Sequence, residues 1–230
     1  MAPEPSEQQE PALLAVILAN TRPSATALVP EILLHLGSEP ISVWQQTELA
    51  TGRTGLDPPF WAFAWAGGQA LARYLLDQPE KIQNQRVIDI ASGSGLVAIA
   101  AARAGALSVT AYDVDPLAAA AIAINARVND VSVAAVCADV LSGDGPPSRA
   151  TSLVLVADAF YDRELAEKVM RFLDRCCDRG VAVLIGDFGR TYLPRSRLVP
   201  LASYDVSGLS VLEGTDVKRT TVWTLAGPDR

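Results

Sequence analysis

Histidine is almost missing from this chain, and cysteine is scarce: His35 stands alone, with Cys137, Cys176 and Cys177. One histidine and no ligand spacing argue against a zinc or other metal site. Histidine-based triads and dyads are excluded unless His35 itself serves, and it lies far from the motif-rich half of the chain. Three cysteines with one adjacent pair do not build a disulfide framework, which points to a reducing compartment. Basic runs are absent as well. A formal net charge of -7 turns the reading away from nucleic acid, whose phosphates need clustered Lys and Arg. Long apolar runs are also lacking. Ala12 to Ala19 is apolar for eight residues only, too short for a bilayer. Glu4, Glu7 and Glu10 before it have the wrong sign for a secretory leader, and an arginine-rich, acid-poor transit segment is not there either. The expected partners therefore include no metal, no nucleic acid and no membrane, and the expected location is cytoplasmic.

What is present is a large apolar fraction, half of the 230 residues, enough for a sizeable core in one domain with an N-terminal extension. From Val87 onward strands and helices alternate. Strand 87–90 leads to helix 95–104, strand 108–112 to helix 116–128 with Pro116 at its first position, and strand 132–137 to the turn Gly143 to Pro147. Strand 152–157 leads to helix 163–178, stopped by Gly180. Strand 181–186 precedes Arg197–Val206 and Thr220–Leu225, which read as a final antiparallel pair. Such alternation predicts an α/β fold, a mostly parallel sheet with helices on both faces. Upstream, Gly67 to Asp77 has helical spacing, with Leu71, Tyr74 and Leu75 on one face. The Pro-rich stretch 1–60 reads as an N-terminal extension that caps the substrate side, and 61–230 as the catalytic domain. Within 1–60, Ala12–Ala19 reads as a short helix, Glu31–Leu36 as a helix and Ile41–Trp44 as a short strand. Met1 to Glu10 and Gly227 to Arg230 are expected to be mobile.

The densest signal is Val87-Ile-Asp89-Ile-Ala91-Ser92-Gly93-Ser-Gly95-Leu96. An apolar strand ends on an acid, and a small-residue loop then opens a helix whose N-terminal N–H groups are free. Gly93-x-Gly95-x-x-Ala98 also fits the dinucleotide pattern, with Asp113 as the ribose acid. Three acids after three successive strands favour S-adenosylmethionine (SAM) over a dinucleotide. Asp89 suits the cationic amino group, Asp113 both ribose hydroxyls, and Asp139 the adenine amino group. This set resembles the class I, seven-strand SAM-dependent methyltransferases, with Ala91 where that family usually has its first glycine. By this resemblance Trp65, Asp89, Ala91, Ser92, Gly93, Gly95, Asp113, Val114, Asp139, Val140 and Ala157 are expected to hold SAM, with S-adenosylhomocysteine as product. A non-catalytic module for SAM or S-adenosylhomocysteine is the alternative.

A second motif falls where ligands of such sheets sit, at the carboxyl end of a strand. Leu153-Val-Leu-Val-Ala-Asp158-Ala-Phe160-Tyr161-Asp162 lacks the prolines of nucleobase methyltransferases. Its Asp-x-x-Tyr is similar to the protein-lysine methyltransferases of the seven-strand class. The simpler reading makes Asp158 a cap of the following helix and Tyr161 core. Before the SAM loop, Pro58-Pro-Phe60-Trp61-Ala-Phe63-Ala-Trp65-Ala66-Gly67-Gly68 resembles the electron-transfer flavoprotein β-subunit lysine methyltransferases and their bacterial relatives, which usually carry Trp-Pro-Gly-Gly. Asp158 to Asp162 and Ile185-Gly-Asp-Phe-Gly-Arg190-Thr-Tyr192 extend that resemblance, which spans roughly residues 21–226. It implies protein-lysine N-methylation, with Asp158 orienting the amine, Tyr161 fixing it, and Trp61, Phe63 and Phe160 lining the substrate channel beside Trp65. It implies a lysine-bearing substrate such as the electron-transfer flavoprotein β-subunit, or a ribosomal protein. A nicotinamide-type small-molecule N-methyltransferase is the rival, and it would need a closed lid from residues 1–60.

Overall fold

A computed structural model describes residues 10–52, 54–144, 146, 148–207 and 216–226. Gly145 and Pro147 of the expected Gly/Pro turn, and the expected mobile ends (1–9 and 227–230), lie outside the described residues. A seven-stranded sheet forms the centre: β3 (Arg86–Ile90), β4 (Ser108–Asp113), β5 (Ala134–Cys137), β6 (Leu153–Ala157), β7 (Ala182–Asp187), β8 (Leu198–Ser207) and β9 (Val217–Leu225). Its order is β5-β4-β3-β6-β7-β9-β8. The first five strands run parallel, and β9 joins β7 antiparallel, then pairs with β8. A separate two-stranded hairpin, β1 (Arg22–Ala25) with β2 (Leu33–Leu36), precedes them.

Alternation along the strands explains why both faces are covered. Val87, Leu153, Leu155 and Leu184 face one core, shared with α3 (Ala66–Asp77) and α4 (Leu96–Arg103). Their sequence neighbours Ile88, Ile90, Val154, Val156, Val183 and Ile185 face the other, against α6 (Arg163–Cys177). Strands buried on both sides must be apolar nearly throughout, so Asp89, only 1% exposed in the interior strand β3, stands out. On α6 the buried positions are Ala166, Val169, Met170, Phe172, Leu173 and Cys176, the stripe of an amphipathic helix. α5 (Pro116–Val128) starts with Pro116 behind the Asp115 cap, whose side chain accepts from the Leu117 N–H at 2.8 Å; such a cap satisfies one of the orphan donors of the first turn.

Two expectations in the N-terminal part fail. Glu31–Leu36 is not helical: Leu33–Leu36 is strand β2. Ile41–Trp44 is not a strand: it opens helix α2 (Pro40–Thr51). The reasons are local. Leu33 to Leu36 finds backbone partners in β1, and its remaining groups reach α5: the Leu33 and His35 N–H groups donate to the Asn129 and Asn125 side chains at 3.0 and 2.7 Å. Pro40 sits at the first helical turn, where its missing N–H costs nothing, and a left-handed Gly52 ends the helix. The expected helix at 12–19 is present as α1 (Glu10–Asn20). Val16 and Ile17 of α1, Val43 of α2 and Leu117, Ala118 and Ala121 of α5 share a third core with Trp61 and Phe63. No helix among the described residues is long and apolar enough to cross a membrane.

Candidate active site

The sheet order sets the order of the acids. Along its carboxyl edge stand, strand by strand, Asp139 after β5, Asp113 ending β4, the 89–95 loop on β3, Asp158 after β6 and Arg190 after β7. Neighbouring strands lie about 4.8 Å apart, so five strands spread these groups over roughly 19 Å. They line one cavity of about 420 Å³, within the size of sites that enclose small organic ligands. Of the expected cofactor residues, Trp65, Asp89, Ala91, Ser92, Gly93, Asp113, Val114, Asp139, Val140 and Ala157 reach it, as do Asp158, Tyr161, Trp61 and Phe63. Two expected residues do not. Gly95 shapes the loop from behind: at φ +81 it admits no ordinary side chain, and a Cβ there would press on Ile122 at 3.2 Å. Phe160 is fully buried in the core that β6 shares with α6, not in the channel. The resemblance placed Phe160 in the channel by its neighbourhood to Asp158 and Tyr161, but its ring packs inward against the α6 side of the sheet.

Asp89 is strongly perturbed. Burial pushes its carboxyl up to about 7, with the Ser92 hydroxyl, donating at 2.5 Å, pulling the other way. A desolvated carboxylate without a facing cation is costly. Asp113 accepts from the Gly93 and Asp115 N–H groups at 2.8 and 3.0 Å, and burial raises its carboxyl too. Asp139 accepts from the Leu141 N–H at 3.0 Å and the Ser142 hydroxyl at 2.5 Å. A row of carboxylates suits a ligand that brings an ammonium, a sulfonium and hydroxyl donors; a pyrophosphate would meet repulsion. This set of acceptors therefore fits SAM and disfavours a dinucleotide.

At the β6 end, Asp158 holds an unusual backbone. Its φ is 56, a left-handed conformation that costs a non-glycine residue about 1–2 kcal/mol. Its N–H donates to the Gly186 carbonyl at 3.0 Å. The carboxylate accepts from the Gly68 N–H at 2.8 Å through Oδ2 and from the Arg190 guanidinium at 3.0 Å through Oδ1. Asp158 does not cap α6: that task falls to Asp162, which accepts from the Leu165 N–H at 2.9 Å, so Asp158 is left to the cavity.

The Gly67-Gly68 pair has a steric reason. A Cβ on Gly67 would fall 2.2 Å from the Gly186 carbonyl oxygen, and one on Gly186 would fall 2.2 Å from that of Gly67. Only two glycines let α3 press onto β7 closely enough for its first turn to reach Asp158.

The aromatics form the mouth. Phe60 packs edge-on against Trp65 and tilted against Tyr161, with centroids 5.8 and 5.4 Å apart, and the Trp65 indole donates to the Phe60 carbonyl at 3.0 Å. Tyr161 is half exposed there, and burial, then Asp57 and Asp162, push its phenol above the usual range. Trp61, by contrast, is almost wholly buried. Sequence reasoning gave no role to Arg190 or Asp57, both on the cavity wall. The Gly-Asp-Phe-Gly-Arg stretch was the available signal for Arg190; nothing in the sequence singled out Asp57. His35 lies elsewhere, buried with Nδ1 3.2 Å from the Thr21 hydroxyl.

A family model described as ribosomal protein L11 methyltransferase (PrmA) matches residues 69–182, the stretch from α3 to the start of β7. Over nearly the whole chain the similarity is to electron transfer flavoprotein beta subunit lysine methyltransferases. The Xenopus laevis protein is 37% identical, covering 90% of this chain and 85% of its own. The Homo sapiens protein is 33% identical, with 93% and 82% covered. The Caenorhabditis elegans homolog is 31% identical, with 78% of each chain covered. The chain is a methyltransferase and belongs to the electron transfer flavoprotein beta subunit lysine methyltransferase family.

Proposed function

We propose that this protein transfers the methyl group of SAM to lysine side chains of a protein, and that an electron-transfer flavoprotein β-subunit is that protein. The observation that carries the reading is the placement of Asp158 and Tyr161 between the row of cofactor acids and an aromatic mouth open to solvent. Asp57, Tyr161 and Asp162 are all exposed at that mouth, which suits a side chain entering from a large partner. The small-molecule rival requires a closed lid, and the exposure of Asp57 and Tyr161 on the cavity wall speaks for a protein substrate instead. Three free cysteines, Cys137, Cys176 and Cys177, support a reducing, cytoplasmic setting.

In this reading Asp89 holds the ammonium of SAM, Asp113 the ribose hydroxyls and Asp139 the adenine amino group, with Ala91, Ser92, Gly93, Val114, Val140 and Ala157 shaping the wall. SAM supplies an electrophilic methyl on a positively charged sulfur. The chain must supply a neutral, aligned amine. At pH 7 deprotonating a lysine costs roughly 4–5 kcal/mol from its reference pKa. Once a lysine side chain fills the mouth, Phe60, Trp65 and Tyr161 surround its amine with apolar surface and so weaken the ammonium by desolvation. Asp158 accepts one hydrogen bond from the amine and directs its lone pair inward, and the phenol of Tyr161, kept neutral by its raised pKa, fixes it from the other side. Closeness and alignment do most of the rest.

The test is to incubate the protein with methyl-labelled SAM and a cell extract, then separate the products by size. Label on one or a few protein bands, lost with Asp158→Ala, supports the reading. Label confined to small molecules would replace it with the metabolite rival, and no label despite SAM binding would favour a non-catalytic module.

A further inference from the structure

Arg190 is left without a task by the reaction as derived above, yet it touches the residue at its centre. Nη2 of its guanidinium donates to Asp158 Oδ1 at 3.0 Å, and Nε lies 3.8 Å from Asp187 Oδ2. The rings of Phe188 and Trp65 flank it, 4.5 and 5.8 Å from Cζ to the centroids. Its side chain is 16% exposed and reaches the cavity wall. A lasting cation, shielded by two aromatic faces, therefore sits against the carboxylate that meets the acceptor.

That contact answers a chemical difficulty. A carboxylate within about 4–6 Å of a lysine stabilises its ammonium form, and an ammonium has no lone pair to receive a methyl group. An unbalanced Asp158 would bind the substrate well and hold it in the unreactive state. Resting on the lysine reading above, we propose that Arg190 is a positioning residue whose charge balances Asp158, so that the carboxylate orients a neutral amine rather than trapping an ammonium.

The charged surroundings make this balance depend on Arg190. Asp187, ending β7, shares the same guanidinium. Asp57 and Asp162 stand at the mouth, and with Asp113 from β4 they act on Tyr161 in one direction, with Arg190 acting in the other. Lys218 on β9 is engaged over the far ring, its Nζ 3.9 Å from the Phe188 centroid. From α3 the Gly68 N–H adds a fixed partial positive charge on Oδ2. Among these described residues the acids outnumber the cations, and the Arg190 guanidinium is in direct contact with Asp158.

The experiment measures kcat and KM for methylation of a lysine-bearing protein substrate from about pH 6 to about pH 10, where the limb of kcat reports groups of the enzyme–substrate complex. In Arg190→Gln the acid limb should move up by about one pH unit or more. Near neutrality kcat should fall about tenfold or more, KM should not rise, and the rate should recover at high pH. Arg190→Lys should keep a limb near that of the unmodified protein. A uniform loss of kcat at all pH values, or a raised KM with an unmoved limb, would overturn the proposal in favour of a purely structural role. Calorimetric SAM binding checks that each variant keeps its site. Should Arg190→Gln lose SAM binding, Asp187→Asn must move the limb down, because it removes a competing acid; an unmoved limb there overturns the proposal. No lysine methylation by the unmodified protein would overturn the underlying reading, and this proposal with it.

Discussion

Asp89 sits in β3, an interior strand of the sheet, where an apolar residue would be more stable. Its carboxyl is raised to about 7 by burial, so the ligand-free protein binds that proton while the unfolded chain does not. Stability then falls as pH rises from about 4 through 7, by on the order of 4 kcal/mol. A bound ammonium would reverse the preference and release the proton. SAM affinity should therefore weaken below pH 7, by up to about tenfold per pH unit, and level off above it. Calorimetry across that range checks this; a flat profile would remove Asp89 from the ammonium site. Asp89→Asn should raise the ligand-free Tm at pH 8 while abolishing SAM binding. Ala91 tells a related story at smaller scale. Its φ is 51 and its side chain is exposed, so Ala91→Gly relieves left-handed strain. The variant should gain about 0.5–1 kcal/mol in denaturant unfolding and keep its activity, the relief outweighing the added freedom of the unfolded chain. A loss of stability would contradict this account of the loop.

At the scale of elements, the junction of α3 and β7 decides whether the site exists. Gly67→Ala would place a methyl group against the Gly186 carbonyl at a distance no packing accepts, pushing α3 away and withdrawing the Gly68 N–H from Asp158. We expect a loss of about 1–3 kcal/mol and a fall in kcat larger than any change in SAM affinity, measured by steady-state rates and calorimetry. Equal losses in both would mean that α3 supports the whole cavity rather than Asp158. The same junction shows what a sequence reading can reach. The Gly-Gly pair was visible as a motif, but its cause lies in Gly186, over a hundred residues away. The parallel sheet, α5 with its Pro116 start and the antiparallel end were legible because period and punctuation are local. The N-terminal part was not: β2 and α2 exchanged their expected types, since Leu33–Leu36 depends on a partner strand and on Asn125 of α5 and Asn129 just after it. Phe160 was misplaced, and Arg190 was given no role, for the same reason: what a side chain faces beyond a strand end is set by packing.

For the whole molecule, charge is the broadest constraint. A net charge of -7 and an acidic mouth favour a lysine-bearing, basic docking segment on the partner. Rim electrostatics act mainly on encounter and are screened by salt. KM for a protein substrate should thus rise with ionic strength while kcat stays nearly constant; the reverse pattern would place the recognition elsewhere. The claim on which everything rests is the acceptor. Purified electron-transfer flavoprotein β-subunit, incubated with the protein and SAM, should gain methyl groups on one or a few lysines by mass spectrometry. The gain should vanish with Asp158→Asn, a substitution that tolerates the left-handed backbone and leaves SAM binding intact. No methylated lysine on that substrate, from a protein that binds SAM, would contradict the account.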